Sequence, residues 1–437
     1  MKKYSNRKCY YKAVIVIVAV FLFMGYSVPN KISRAGSHEH RGVWVAFYEF
    51  SAAGLSNRTE AAFRQNASKM FQNIVDYGCN EVFFHVRAFD DAIYPSKIVR
   101  WSTYMESNGK SPGYDPLAIL VELAHEKGLK IHAWMNPYRV SSEKILNPAK
   151  EKTINRIVNQ VKEIINNYQV DGIHFDDYFY VGSKYDHVRA AKKRKNVNKM
   201  VKRVHDAVKE KDETIEFGIS PAGNYENCME MGADVKTWMS EEGYIDYIIP
   251  QIYWSDKYKL NGKWTTLFSD RLALWRSLNE IDIPMCIGLG VYRTGYEVSP
   301  DLGWAKRDDN LASQALAIFE GNTEGYTLFA YTDLMADHSE DEMDNFLEAI
   351  SWIKLNKKSV TLRQGETFLL KAKWMPAKYE DGDSFEYRSL DESIATVDED
   401  GLVTAVAQEG TTKIQVTADG KKKNCVVTIG EINEEAK

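Results

Sequence analysis

The run Asp171-Gly172-Ile173-His174-Phe175-Asp176-Asp177-Tyr178 sets two acids side by side after an apolar stretch. Adjacent carboxyls at the end of a buried segment are costly unless they are paired or hydrogen-bonded. Close carboxyls push their pKa values apart, leaving one protonated acid and one anion near neutral pH. Glycosidic cleavage needs that combination: an acid for the leaving oxygen, and a base or nucleophile for the anomeric carbon. Asp177 and Asp176 are therefore the leading catalytic candidates, with Glu226 and Glu49 as further acids that can complete them. The plainer reading is an Asp that caps the next helix or pairs with Arg139 or Arg293.

Other polar and aromatic residues cluster where apolar runs end. His85 and Arg87 close one run, and Trp134, Asn136, Tyr138 and Arg139 follow the next. Tyr180 lies just past the paired acids. Asn224, then Gln251, Tyr253 and Trp254, then Tyr292 and Arg293, and finally Tyr331 end the later runs. Hydrogen-bonding groups mixed with flat rings suit a sugar, whose hydroxyls and pyranose faces need both. His85, His132, His174 and Asp176 could instead supply metal ligands. The histidines sit within strands, where alternation is expected to turn some outward. We expect neither a metal nor another cofactor.

Eight apolar runs must carry these residues: 43–47, 81–86, 130–135, 172–177, 216–221, 247–254, 285–290 and 327–331. Helix-like segments separate them. Residues 115–127 begin with Asp115-Pro116, a cap followed by Pro at the first helical position, and stop at Gly128. Regular alternation of this kind predicts an α/β fold with parallel strands, a closed (β/α)8 TIM barrel. An open doubly wound sheet is less consistent, because no Gly-rich phosphate loop follows the first run. In a barrel the strand ends share one rim, and function sits there. Past Asn356 the pattern changes to short alternating runs between turns such as Asp400-Gly401, the mark of a small all-β sandwich.

The formal net charge of −5, without a clustered basic face, gives no support for a nucleic-acid partner. Lys2, Lys3, Arg7, Lys8 and Lys12 precede the uncharged run 13–25, which suits a signal peptide and is short for a membrane span. Cleavage after Ala35 or retention as a membrane tether are both compatible with it. The cysteines are far apart and show no metal-binding spacing; Cys79, Cys228, Cys286 and Cys425 read as small buried thiols.

Several stretches resemble the bacterial glycosyl-hydrolase-like family ten. They are Arg41-Gly42-Val43-Trp44, Gly113 to Leu117, and His132-Ala133-Trp134-Met135-Asn136-Pro137-Tyr138-Arg139. Others are Asp171 to Tyr178, Gly218 to Pro221, Pro250 to Trp254 and Gly288 to Arg293. One departure is Phe47-Tyr48-Glu49-Phe50, where the family often has an Asn-x-Asp-Trp-Pro type segment. The resemblance implies hydrolysis of glycan strands, and some relatives cleave peptidoglycan stripped of its peptides. It also implies distant kinship with chitinase-like barrels, whose fourth strand ends in Glu; here Asp176-Asp177-Tyr178 stands instead. By that kinship a substrate N-acetyl group can act as nucleophile, steadied by Tyr253. The runs 393–397, 401–405 and 410–414 resemble a bacterial Ig-like domain of group two, a spacer or adhesive module.

The expected organisation is a signal peptide or anchor over 1–35, a catalytic barrel over 36–352 and an Ig-like domain over 357–430. The expected protein is an exported glycosidase acting on a cell-envelope polysaccharide. A non-catalytic carbohydrate-binding or adhesion protein and a metal-dependent deacetylase are the competing readings.

Overall fold

The computed structural model describes residues 40–321, 323–379 and 384–430. The basic and apolar N-terminal run, Cys9, the Asp381-Gly382 turn and the polar tail lie outside the described residues.

Eight parallel strands form one sheet: β1 (His40–Val45), β2 (Glu81–Arg87), β3 (Lys130–Met135), β4 (Gly172–Asp176), β5 (Glu216–Ser220), β6 (Tyr247–Ile248), β7 (Cys286–Gly290) and β8 (Gly325–Phe329). Their order is β7-β8-β1-β2-β3-β4-β5-β6. The two ends meet through parallel bridges Ile248–Met285 and Gln251–Gly288. There the Ile248 amide donates to the Pro284 carbonyl at 3.0 Å and the Gly288 amide to the Pro250 carbonyl at 2.9 Å. The sheet thus closes into a TIM barrel without a free edge.

Helices cover the outside: α1 (Glu60–Asp76), α2 (Pro116–Glu126), α3 (Glu151–Asn167), α4 (Ala190–Lys211), the short α5 (Tyr225–Met231) and α6 (Val235–Trp238), α7 (Leu267–Leu278), α8 (Asn310–Phe319) and α9 (Glu340–Ile350). Local signals set their ends. Asp115 accepts the Ala118 amide at 3.2 Å to cap α2, and Gly128, at φ +72°, turns the chain out of it.

Strand alternation sorts the barrel residues into two sets. Val43, Val45, Val82, Phe84, Ile131, Ile173, Phe175, Phe217 and Ile219 pack outward against the helices. Each such buried side chain contributes about 1.5–3 kcal/mol. Trp44, Phe83, Trp134, Tyr247, Ile249 and Cys286 fill the barrel itself. His85, His132 and His174 are all in that inner set, which corrects the expectation that some would turn outward. Tyr247 links two of them: its hydroxyl lies 3.0 Å from His132 Nδ1 and 3.1 Å from His174 Nδ1. Trp44 Nε1 donates to His174 Nε2 at 3.2 Å. Because an indole N–H only donates, we assign the His174 proton to Nδ1. Two glycines make room for this column. A Cβ on Gly172 would lie 2.2 Å from His132 Nδ1, and one on Gly218 would lie 2.2 Å from the Tyr247 ring.

The C-terminal strands β9 (Trp352–Leu355), β10 (Ser359–Leu362), β11 (Thr367–Leu369), β12 (Ala372–Met375), β13 (Glu386–Ser389), β14 (Ala395–Val397), β15 (Leu402–Ala405), β16 (Gly410–Ala418) and β17 (Lys421–Ile429) form the all-β domain. Its sheets are β10-β17-β16-β13, β11-β15-β14 and β9-β12. Trp374, Val403, Ile414, Val416 and Cys425 are in its core. The antiparallel β9–β12 pairing places Trp352 at the start of this domain. The domain packs on the barrel where α1 and α9 end, beside the starts of the strands. The Lys378 amide donates to the Asp76 carbonyl at 2.8 Å, and Lys421 Nζ donates to the Glu348 carbonyl at 3.1 Å. Arg41 lies over the Trp352 ring at 5.3 Å. Cys79, Cys228, Cys286 and Cys425 are all buried free thiols.

Candidate active site

At the opposite mouth, where the strands end, the inner residues open into a cavity of about 230 Å³. Trp44, Phe47 and Tyr48 come from β1 and the turn after it, and His85 from β2. Trp134, Asn136 and Arg139 come from β3 and its loop, and Asp176 and Tyr178 from β4. Ser220, Gln251, Tyr253 and Phe329 complete the wall. A neighbouring cavity of about 330 Å³ shares Gln251 and Tyr253 and adds Asn224, Asn227, Trp254, Tyr292 and Arg293. The two form one cleft with Gln251 and Tyr253 at the junction.

Asp176 is the carboxyl on the cavity wall. Its Oδ1 accepts the Asp177 amide at 2.8 Å and Gln251 Nε2 at 3.1 Å. Gln251 is itself held by the Ser220 carbonyl at 2.8 Å. Burial pushes the Asp176 carboxyl above the usual range, partly offset by these bonds. Asp177 turns aside to accept the Ala222 amide at 2.9 Å. Burial, and then the charge of Asp176, push its carboxyl well above the ordinary value. Both carboxyls are thus shifted upward by burial, Asp177 further because it faces the charge of Asp176.

Around Asp176 lies an unusual set of unanswered polar atoms. His85 is buried and stacks on Trp134 with centroids 3.9 Å apart. Among the described residues, Trp134 Nε1, Asn136 Oδ1 and Arg139 Nε have no hydrogen-bond partner. Burial keeps the His85 imidazole neutral. Buried polar groups without partners cost stability, and those that border the cavity are available to a polar ligand there. Tyr253 stacks on Phe329, with centroids 5.5 Å apart, and offers a flat apolar wall. Burial holds its phenol protonated. Among the described residues, no group of three or more His, Cys, Asp or Glu is placed to hold a metal.

Several predicted residues are elsewhere, and each correction has a physical reason. Glu226 pairs with Arg271 at 2.9 Å on the surface of α5. Glu49 is buried, but its oxygens accept the Ala46 amide at 2.6 Å and the Thr332 amide at 2.7 Å, tying β1 to the turn after β8. Arg87 donates to the Asn136 carbonyl and pairs with Asp90 at 3.0 Å, so it holds the β3 end from below. Tyr138 is buried in the outer core against Phe179. Tyr180 accepts from Asn196 Nδ2 at 2.8 Å, and Tyr331 from Asn73 Nδ2 at 3.1 Å, both away from the mouth. Asn224 lines the second cavity while capping α5, where it accepts the Asn227 amide at 2.9 Å. Phe47, Tyr48, Tyr178 and Ser220 stand on the wall as strand-end residues, whereas the wall residues that strand-end reading missed are Trp44 and Phe329. Alternation would have found Trp44 from Val43, and Phe329 from Thr327.

A closed (β/α)8 barrel whose mouth presents a buried carboxyl, Asp176, among stacking rings has the architecture of a glycoside hydrolase. The sequence matches the family described as Glycosyl hydrolase-like 10 over residues 39–144 and 181–306, and the chain belongs to that family. Residues 349–428 match the group 2 bacterial Ig-like domain. Glycosyl hydrolase DigH of Escherichia coli K12 is 29% identical over 355 residues, spanning 63% of this chain and 79% of that protein. Glycosyl hydrolase YngK of Bacillus subtilis 168 is 28% identical over 354 residues, spanning 66% and 67% respectively. Among solved structures, the PgaB (BpsB) glycoside hydrolase domain from Bordetella bronchiseptica aligns with a TM-score of 0.48 at 10% identity, covering 70% of this chain and 98% of that one.

Proposed function

We propose that the protein is an exported enzyme that cleaves the glycan strands of peptidoglycan after their peptides are removed, with Asp176 as acid and base. The observation that carries this reading is Asp176 itself, the acid lining a cavity of stacked rings and unanswered polar atoms. The basic and apolar N-terminal run supports export. The named activities of DigH and YngK support a glycan substrate.

Asp176 is the one carboxyl on the wall of either cavity among the described residues, which favours help from the substrate. The carbonyl oxygen of a 2-acetamido group attacks the anomeric carbon while the glycosidic C–O bond breaks. Asp176, which shares the one proton of the pair with Asp177, passes that proton to the leaving oxygen. The Tyr253 hydroxyl donates to the acetamide oxygen. Water then opens the oxazolinium ring at the anomeric carbon and returns a proton to Asp176, with net retention. Positioned proton transfer of this kind contributes about 10²–10⁴-fold.

The test is digestion of amidase-stripped strands before and after chemical N-deacetylation. Release of reducing ends from acetylated strands alone is the expected result. Equal cleavage of both would remove the acetamide from the mechanism, and no cleavage of either would remove the hydrolase reading.

A further inference from the structure

Arg139 is a cation in the catalytic cavity, and among the described residues no carboxylate pairs with it. Its guanidinium lies between two rings, 4.0 Å from the Tyr178 centroid and 4.9 Å from that of Phe89. Its Nε is buried and unanswered. Three other arginines near the rim are matched to acids: Arg156 with Asp90 at 3.0 Å, Arg271 with Glu226 at 2.9 Å and Arg293 with Asp301 at 3.3 Å. Asp176 is near enough to feel the charge of Arg139. The two form no ion pair, and Asp176 Oδ1 is engaged by Gln251 and the Asp177 amide. The Phe89 and Tyr178 rings confine the fork, which also donates a hydrogen bond to the Tyr178 hydroxyl. A planar, pre-oriented, half-buried guanidinium is suited to bidentate capture of a carboxylate.

We propose that Arg139 is a specificity-determining residue that receives a carboxylate carried by the sugar chain. This rests on the glycan-cleaving reading above and narrows it to acidic N-acetylated glycans. In stripped peptidoglycan the carboxylate is that of the lactyl ether, which is free once the peptide is gone. In a uronic acid polymer it is attached to the ring. A peptide still joined to the lactyl group would remove the negative charge at that position and add bulk beside Trp134 and Asn136.

The experiment compares stripped peptidoglycan strands, the same strands with carboxyls converted to methylamides, hyaluronan and neutral chitin oligosaccharides. Both kcat/KM for the wild type and binding to Asp176→Asn by calorimetry are measured. The wild type is expected to prefer acidic over amidated strands by at least about tenfold. Arg139→Gln is expected to erase that preference, lowering kcat/KM and affinity on acidic strands at least about tenfold, to the level of the amidated ones. Arg139→Lys should recover part of it. Hyaluronan binding that responds to Arg139 in the same way would assign the site to uronic acids. Equal handling of acidic and amidated strands by the wild type overturns the proposal and leaves the hydrolase reading intact. An Arg139→Gln loss that is the same on every glycan, with a shifted pH profile, also overturns it, since Arg139 would then serve Asp176. Absence of turnover on all substrates would speak against the hydrolase reading, while the calorimetric comparison would still decide the role of Arg139.

Discussion

Asp176 and Asp177 are neighbours in the chain, but they meet different surroundings. The pleat sends Asp176 into the cavity, and the end of β4 lets Asp177 reach the amide after β5. Asp176→Asn is expected to lower turnover at least about a hundredfold, the scale of a lost general acid, while raising the melting temperature at neutral pH. The stability sign follows from burial. A carboxyl whose folded pKa is raised loses stability as pH rises through that pKa, and Asn has no such loss. Glu49 gives a separate check. Burial lifts it to about 7 from an ordinary 4.5, so the stability that it contributes is full below about 4.5 and is lost as pH rises through about 7. Glu49→Gln should flatten that part of the stability profile in urea titrations at successive pH values. The paired acids were legible in the sequence because adjacent acids after an apolar strand are costly. Glu226 and Glu49 misled because a linear chain does not show that Arg271 or the Thr332 amide answers them.

At the scale of elements, the strands were legible because period-two alternation runs straight into their ends. The reading 130–135 for β3 matches Lys130–Met135, whereas the last strand was read as 327–331 and spans Gly325–Phe329. That two-residue slip moved the attention from Phe329 to Tyr331, which belongs to the following turn. The His132-Tyr247-His174 column was not legible, since its members lie on three strands and meet only on closure. It predicts a steric result: Gly218→Ala drives a methyl into the Tyr247 ring and should cost about 1–3 kcal/mol in urea unfolding. Tyr247→Phe should cost a similar amount, because both histidine nitrogens lose their partner. Wild-type stability in both variants would show that the column contributes nothing to the closed barrel.

For the whole molecule, the Ig-like domain sits at the end of the barrel opposite the cleft, so substrate and domain do not compete for one surface. Gly78, at φ +81°, admits Pro376 so closely that a Cβ there would lie 2.6 Å from its ring. Gly78→Leu is therefore expected to split thermal unfolding into two transitions while leaving kcat unchanged; a lost kcat would mean that docking shapes the mouth. The change of pattern past Asn356 made the second domain legible, but nothing in the sequence marked the face on which it docks. That face depends on Lys378, Lys421 and Arg41 finding partners far away in the chain. The central claim is that Asp176, at the free mouth, performs glycan hydrolysis. It is tested most directly by the rate of new reducing ends from amidase-stripped peptidoglycan with wild type and a folded Asp176→Asn variant. Steady release is expected from the first and at least about a hundredfold less from the second; equal rates would contradict catalysis by Asp176.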